Sequence, residues 1–142
     1  MIRASIAALS VAALSTLPVA AQDAAAAPSL ALELNALQPS DAGCRVTFLA
    51  TNGLAGPIDK ATFEVALFGA GGGIDRLVSL DFKMLAKGKT RVLQFELAGL
   101  QCEAVSRVLV NDVTACEGAG IASGDCLDWL ATSTRTKAEF GV

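Results

Sequence analysis

Short stretches of alternating apolar and polar residues recur along the chain, and each predicts a half-buried β-strand. In residues 30–37, Leu30, Leu32 and Leu34 fall on one side and Glu33 and Asn35 on the other. Stretches of the same kind cover residues 44–51, 61–68, 74–82 and 90–97. Turn-forming residues separate them, among them Gly43, Gly53 and the glycine-rich residues 69–73. Short strands at regular spacing, without a long helical pattern, are typical of an antiparallel β-sandwich.

A more apolar stretch, residues 105–113, lies between Cys102 and Cys116 and predicts a sixth strand held near both ends. Residues 125–130 predict one or two helical turns capped by Ser123 or Asp125. We expect this helical segment to cover an open end of the core with three side chains: Leu127, Trp129 and Leu130.

Residues 134–140 predict a closing edge strand, on which Arg135 and Lys137 discourage edge-to-edge pairing. The expected fold is therefore all-β, an immunoglobulin-like antiparallel β-sandwich with a short C-terminal helical segment. The likeness is one of architecture alone, because the chain has no tyrosine for the usual corner and its tryptophan follows every cysteine.

The first 21 residues have the pattern of a cleavable signal peptide. Arg3 supplies a positive start, residues 4–17 carry no charge, and small residues precede Gln22. The apolar stretch is shorter than the ~20 residues that span a bilayer as a helix. We expect cleavage after Ala21, release into the periplasm or the medium, and no membrane insertion of the mature chain. Residues 22–29 then form a flexible leader, and residues 30–142 a single β-sandwich domain.

The charge balance narrows the range of partners. The whole chain has a formal net charge of −3, and loss of Arg3 with the signal makes the mature chain more acidic. Nucleic acids and anionic lipids require clustered lysine and arginine, so this balance argues against both.

Four cysteines, an even number, suggest two disulfides in an oxidising compartment. Three pairings are possible. We favour Cys116 with Cys126, because the short loop between them contains three glycines and bends freely, which leaves Cys44 with Cys102 as a long-range bridge.

The composition also limits the chemistry. The chain has no histidine, which excludes an imidazole base, histidine metal sites and histidine pH switching. No Cys-x-x-Cys pair is present, so a thioredoxin-type redox site is not expected. Residues 69–73 lack the lysine and hydroxyl of a phosphate-binding loop and predict a hairpin turn instead. We expect no catalytic residue, no metal and no cofactor.

Candidate partner-binding residues fall in two places. Lys87, Lys89 and Arg91 form a basic patch around a predicted turn, where they either grip an anionic partner or simply protect a hairpin tip. Arg107 and Asn111 share one face of the sixth predicted strand, and Asp112 follows. These residues either anchor loops through hydrogen bonds or recognise a ligand, and they are the best candidates for a functional surface.

Three segments carry a resemblance to a protein group: GCRVTFLATN (43–52), GKTRVLQFEL (88–97) and RVLVNDVTAC (107–116), with a cysteine shortly after the last. Together they resemble a group of small exported alphaproteobacterial proteins of unknown function, often labelled as signal-sequence domain proteins. The resemblance implies a periplasmic location and supplies no catalytic residues.

We expect a non-catalytic binding or structural module of the cell envelope, which offers a sheet face or edge to an unknown envelope protein. One alternative is a periplasmic enzyme that uses carboxylates, which would need a deep cleft lined by Asp75, Asp81 or Asp128. The other is a thiol or metal carrier, which would need reduced and clustered cysteines.

Overall fold

The computed structural model describes residues 26–142, and almost all of the regular structure in this part of the chain is β-strand. The predicted signal peptide and the first half of the predicted leader lie outside these residues. The elements follow in the order β1 (Leu30–Pro39), β2 (Gly43–Asn52), β3 (Ile58–Phe68), β4 (Ile74–Leu85), β5 (Thr90–Ala98), a 3₁₀ turn (Cys102–Ala104), β6 (Arg107–Glu117), α1 (Asp125–Asp128), β7 (Leu130–Thr134) and β8 (Glu139–Gly141).

The strands form two four-stranded sheets. The first sheet has the order β5-β2-β1-β7 and the second sheet the order β4-β3-β6-β8. The prediction of an all-β, sandwich-like fold is confirmed, but the expectation of purely antiparallel sheets is wrong. Strand β7 pairs with β1 in parallel, and β8 pairs with β6 in parallel. Neither β7 nor β8 is joined to its sheet neighbour by a hairpin, the connection that gives antiparallel pairs.

The apolar core fills the space between the two sheets. Its largest fully buried side chains are Phe48 of β2, Phe63 of β3 and Phe82 of β4. The ring of Phe82 lies 4.8 Å from that of Phe63 in its own sheet and 5.5 Å from that of Phe48 in the other. Each buried phenylalanine is worth about 1.5–3 kcal/mol relative to an exposed one, so these contacts hold the sheets together.

Both disulfides form with the pairing expected from the sequence. Cys44 at the start of β2 is bonded to Cys102 in the 3₁₀ turn, with Cα atoms 5.2 Å apart. Cys116 near the end of β6 is bonded to Cys126 in α1, with Cα atoms 5.9 Å apart. The first bridge therefore joins the first sheet to the segment that leads into β6, and the second fixes α1 against the end of β6.

The helical segment differs from its prediction. Helix α1 ends at Asp128, and its N-cap is Gly124, not Ser123 or Asp125. The carboxylate of Asp125 instead accepts a hydrogen bond from the backbone N–H of Ala122. Two of the side chains expected to cover the core are exposed, Leu127 by 41% and Trp129 by 45%. Because the disulfide turns Cys126 inward, these neighbours face outward, and only Leu130 packs against the core.

The predicted strand 134–140 is wrong, because this segment crosses from one sheet to the other. Strand β7 ends at Thr134 in the first sheet and β8 starts at Glu139 in the second. Threonine hydroxyls hold the crossing: Thr134 Oγ1 accepts from the N–H of Thr136, and Thr136 Oγ1 accepts from the N–H of Ala138. The strand predicted from residue 105 also begins later, at Arg107, because the 3₁₀ turn precedes it.

No helix in the described part of the chain has the length and apolar character needed to cross a membrane.

Candidate functional site

The outer face of the second sheet carries a row of apolar residues. The strand register places Leu77 of β4 beside Ala66 of β3, Ala66 beside Leu109 of β6, and Leu109 beside Gly141 of β8. These positions alternate with inward residues of the core, so they face away from the first sheet. Leu77 is 53% exposed because β4 is an edge strand within the described residues, whereas Ala66 in the middle of the row is only 2% exposed.

A second row lies next to the first, beyond a register shift in which β4 has one extra residue, Asp75, so that Ile74 comes to the same face as Leu77. Ile74 of β4 pairs with Phe68 of β3, Phe68 with Arg107 of β6, and Arg107 with Glu139 of β8. Ile74 is 62% exposed, whereas Phe68 is half-buried. We call the apolar members of the two rows the platform; they are Ala66, Phe68, Ile74, Leu77 and Leu109.

Arg107 and Asn111, which the sequence assigns to one strand face, border the platform on different sides. The guanidinium carbon of Arg107 lies 5.6 Å from the centre of the Phe68 ring. Asn111 Nδ2 donates a 2.6 Å hydrogen bond to Glu64 Oε1 on β3. Asp112 is used locally, because its carboxylate accepts from the N–H of Val113.

The basic patch lies elsewhere. Lys87 and Lys89 lie in the connection from β4 to β5. This connection follows the C-terminal end of β4, whereas the platform residue Ile74 is at its N-terminal end, so the structure does not bring the two lysines to the platform. Arg91 Nη1 donates to the carbonyl oxygen of Met84 on β4, at 2.8 Å. In the other direction, Arg76 Nη1 of β4 donates to the carbonyl oxygen of Ala98 on β5, at 2.7 Å. The two arginines therefore tie together the edge strands of the two sheets, which gives Arg91 a structural role.

A cavity of about 470 Å³ opens at the Arg107 end of the platform. Its wall contains Phe68, Ser106, Arg107, Glu139 and part of the glycine-rich turn. Gly72 in that turn has a φ of +81°, and the N–H of Gly72 donates to the carbonyl of Gly69 at 2.9 Å. The predicted hairpin turn is thus present, and it also forms one side of this cavity.

A second cavity, of about 410 Å³, lies between the end of β1 and the crossing segment. Leu37, Pro39 and Val105 give it an apolar wall, and Arg135 and Lys137 stand at its side. Arg135 is already paired with Glu33, whose carboxylate also accepts from Asn35. This cavity lies apart from every candidate partner-binding residue.

Two of the three carboxylates of the enzyme alternative, Asp75 and Asp81, lie in ion pairs with neighbouring residues. Asp75 accepts from Arg76 at 2.6 Å, and Asp81 forms an ion pair with Lys83 at 2.7 Å. The hydrogen bond from the Lys83 side chain, followed by that from the Lys83 N–H, lowers the pKa of Asp81. A lowered pKa favours the ionised form, the opposite of what a general acid needs near neutral pH. A cavity of about 210 Å³ has Asp75 in its wall without a second carboxylate.

Within residues 26–142 all four cysteines are in disulfides, and no three acidic or cysteine side chains gather where they would hold a metal ion. The thiolate ligands that a carrier would need are therefore tied up in the oxidised form. Free thiols would appear there only after reduction.

Sequence reasoning missed the apolar members of the platform. Leu77 lies on the polar side of its strand pattern, between Asp75 and Ser79. An apolar residue at such a position was the one sequence feature that could have indicated this surface. Phe68 likewise follows Glu64 and Ala66 on the outer side of β3. These residues are neighbours of Leu109 and Arg107 because of the strand register, which cannot be predicted from any single stretch of sequence.

Comparison with known proteins returns no match to this chain, whether family models, curated proteins or solved structures are searched.

Proposed function

We propose that the protein is a non-catalytic binding module of the cell envelope, and that it holds a partner protein on the outer face of the second sheet. The platform carries this proposal. Single exposed apolar residues are common on any protein, but large contiguous apolar patches with polar borders mark interaction surfaces. Here Ile74 and Leu77 lie in adjacent rows on an edge strand, and polar Arg107 and Asn111 border the patch.

The periplasm, or the outside of the cell, is the proposed location. Two disulfides persist in an oxidising compartment and are rare where glutathione keeps thiols reduced. The signal-peptide pattern of residues 1–21 and the resemblance to exported alphaproteobacterial proteins support the same location.

An immunoglobulin-like architecture is part of the proposal. The order β5-β2-β1 in the first sheet corresponds to strands E, B and A of that sandwich, and β3-β6-β8 in the second sheet corresponds to C, F and G. The parallel pairing of β8 with β6 departs from it, since an immunoglobulin sheet is antiparallel.

The test is site-specific photocrosslinking in the native bacterium. A photoreactive phenylalanine analogue replaces Leu77, and a matched control replaces Val92, which is 61% exposed on the outer face of the first sheet. We expect one defined adduct from position 77, identified by peptide mass spectrometry, and none from position 92. Equal adducts at both positions, or no adduct at position 77, would contradict the proposal.

A further inference from the structure

We propose that the partner is recognised by a carboxylate: the guanidinium of Arg107 binds a peptide carboxylate, while the adjoining apolar side chain of the same peptide lies on the platform. This inference rests on the proposed function, and it specifies the chemistry of the partner.

The arginines of residues 26–142 differ in what their guanidinium groups contact. Four of them have an acceptor within the fold: Arg45 bonds Glu96, Arg76 bonds Asp75 and Ala98, Arg91 bonds Met84, and Arg135 bonds Glu33. Of the arginines in the described residues, Arg107 is the one whose guanidinium has no hydrogen-bond acceptor. It contacts the ring of Phe68 instead. Its planar fork of donors, which matches a carboxylate bidentately, therefore remains available.

The Phe68 ring also restricts where this guanidinium lies. Phe68 and Arg107 are direct partners on β3 and β6, two adjacent strands inside the second sheet, so the backbone fixes the base of both side chains. A cation held over an aromatic face loses less conformational freedom on binding than a free surface arginine does. The guanidinium of Arg107 is thus preorganised for ligand binding.

The glycine-rich turn leaves the cavity open. Gly72 needs its positive φ, but Gly71 and Gly73 have ordinary φ values, and a Cβ on either would meet nothing within 4 Å. The fold itself therefore gives no reason for glycine at these two positions. Gly71 lies in the cavity wall, so the missing side chain there keeps access to Arg107 free.

Glu139 defines the ligand further. It is the register partner of Arg107 and shares the cavity wall, yet the two do not form an ion pair within 4.0 Å in the described structure. A carboxylate at this place repels a dianion such as phosphate but accepts N–H groups. A peptide offers a single negative charge together with backbone N–H donors, so it satisfies Arg107 and Glu139 at the same time.

The experiment is an NMR titration of the ¹⁵N-labelled mature protein with three probes: acetyl-Ala-Leu with a free carboxylate, its C-terminal amide, and acetyl-Asp-Leu-amide. We expect amide shifts at residues 70–72 and 106–107, with the free acid binding at least ~10-fold more tightly than its amide. If acetyl-Asp-Leu-amide binds as well as the free acid, the carboxylate can come from a side chain; if it does not, the source is a chain terminus.

Matched variants distinguish loss of the Arg107 site from unspecific effects of a substitution. Arg107→Gln should weaken binding of the free acid about tenfold, whereas Arg135→Gln, on an exposed arginine beside the other cavity, should leave it unchanged. Gly71→Leu should close the cavity and abolish binding, and Gly73→Leu, outside its wall, should keep it. Equal binding of the acid and its amide, or an unchanged affinity in both Arg107→Gln and Gly71→Leu, would overturn the inference.

The crosslinking experiment keeps the two proposals distinguishable. If a defined adduct forms at position 77 but no carboxylate probe binds, the binding function stands and only the carboxylate inference fails. If the probes bind at Arg107 but no adduct forms in the cell, the site binds peptides, and the proposal of an envelope partner protein is wrong.

Discussion

The outer faces of the two sheets are built differently, although both sheets cover the same core. On the first sheet, polar side chains of neighbouring strands bond one another: Arg45 and Ser40 with Glu96, Thr51 with Thr90, and Gln94 with Thr47. On the second sheet the corresponding area is the platform, with Arg107 at its border. Burial of the core does not require either choice, so the core does not explain the apolar face, and this is why the proposed binding function is placed there.

The outer face of the first sheet also has apolar pairs: Ala31 with Ala131, and Leu49 with Val92. The first consists of two small side chains, and the second lies between the polar pairs Thr51–Thr90 and Thr47–Gln94. The platform differs from both pairs by extending over adjacent rows and three strands. The two faces therefore differ in how far their apolar area extends, and not in whether a single apolar side chain is exposed.

The comparison assumes that both faces belong to one rigid body, and removal of the long disulfide tests this most strongly. Cys44→Ala with Cys102→Ala should lower the free energy of unfolding by about 4 kcal/mol, because the bridge closes a loop of 58 residues. Cys116→Ala with Cys126→Ala, which opens a loop of 10, should cost about 2.5–3 kcal/mol. Urea unfolding measures both, and a larger loss from the shorter loop would contradict the ranking.

Intact mass is the matching control for those variants. With both bridges formed, the mature protein purified without reductant should weigh four hydrogen atoms less than its reduced form. Free thiols or a metal mass would instead favour the carrier alternative.

A buried polar link between the sheets should have the next largest effect. Asn52, at the end of β2, donates to the carbonyls of Gly56 and Leu85 and accepts from the N–H of Leu54. Asn52→Ala removes all three bonds and should cost about 2–3 kcal/mol. The control is Asn35→Ala, which removes one half-exposed bond to Glu33 and should cost less than ~1 kcal/mol. Equal costs in urea unfolding would show that the buried link contributes nothing special.

A matched pair of substitutions tests the two faces directly. Leu77→Asp and Val92→Asp each add a charge at an exposed apolar position on an edge strand, and each should change stability by less than ~0.5 kcal/mol. Binding of acetyl-Ala-Leu should weaken roughly fivefold in the first variant, since about 1 kcal/mol of apolar contact is lost, and stay unchanged in the second. Similar losses in both variants would remove the distinction between the faces.

The smallest expected effect is on pH dependence, where each face has one group. Hydrogen bonds from Ser40 and then Arg45 lower the pKa of Glu96 on the first sheet below its ordinary value of 4.5. Asp81 on the second sheet is lowered below 3.8, mainly by Lys83. A lowered folded-state pKa contributes stability that is present above the unfolded value and lost as pH falls through the folded one.

Both contributions should therefore be complete at neutral pH and disappear in acid. Glu96→Gln and Asp81→Asn should each reduce the loss of stability between about pH 6 and pH 3, and the effects should be small because both groups are in contact with water. Urea unfolding at the two pH values measures this. An unchanged acid dependence in both variants would show that these pairs are not coupled to folding.

Period-two alternation was sufficient to predict β1 to β5, because each of these strands has one side in the core. It failed for residues 134–140, since alternation gives no information about which sheet a strand enters, and the threonine hydroxyls that turn the chain resemble ordinary strand residues. The helical cap was missed for a related reason: a disulfide, not a side-chain bond, fixes α1.

The candidate site was predictable only in part. Arg107 and Asn111 were recognised because they interrupt an apolar strand, and the structure places both beside the platform. Arg91 was grouped with Lys87 and Lys89, and its bond to the Met84 carbonyl could not be foreseen because it depends on how close two edge strands come. The platform itself depends on the register of β3, β4 and β6, which no local pattern encodes.

The pairing of β7 with β1 also determines when the domain can fold. Leu30 pairs with Leu130, so the first strand gains its second neighbour only from a segment near the other end of the described chain. Pairing across so long a separation slows folding, because the loop must close before any contact rewards it. Under the proposed export, the first sheet would stay incomplete during translocation and would close only after almost the entire domain had crossed.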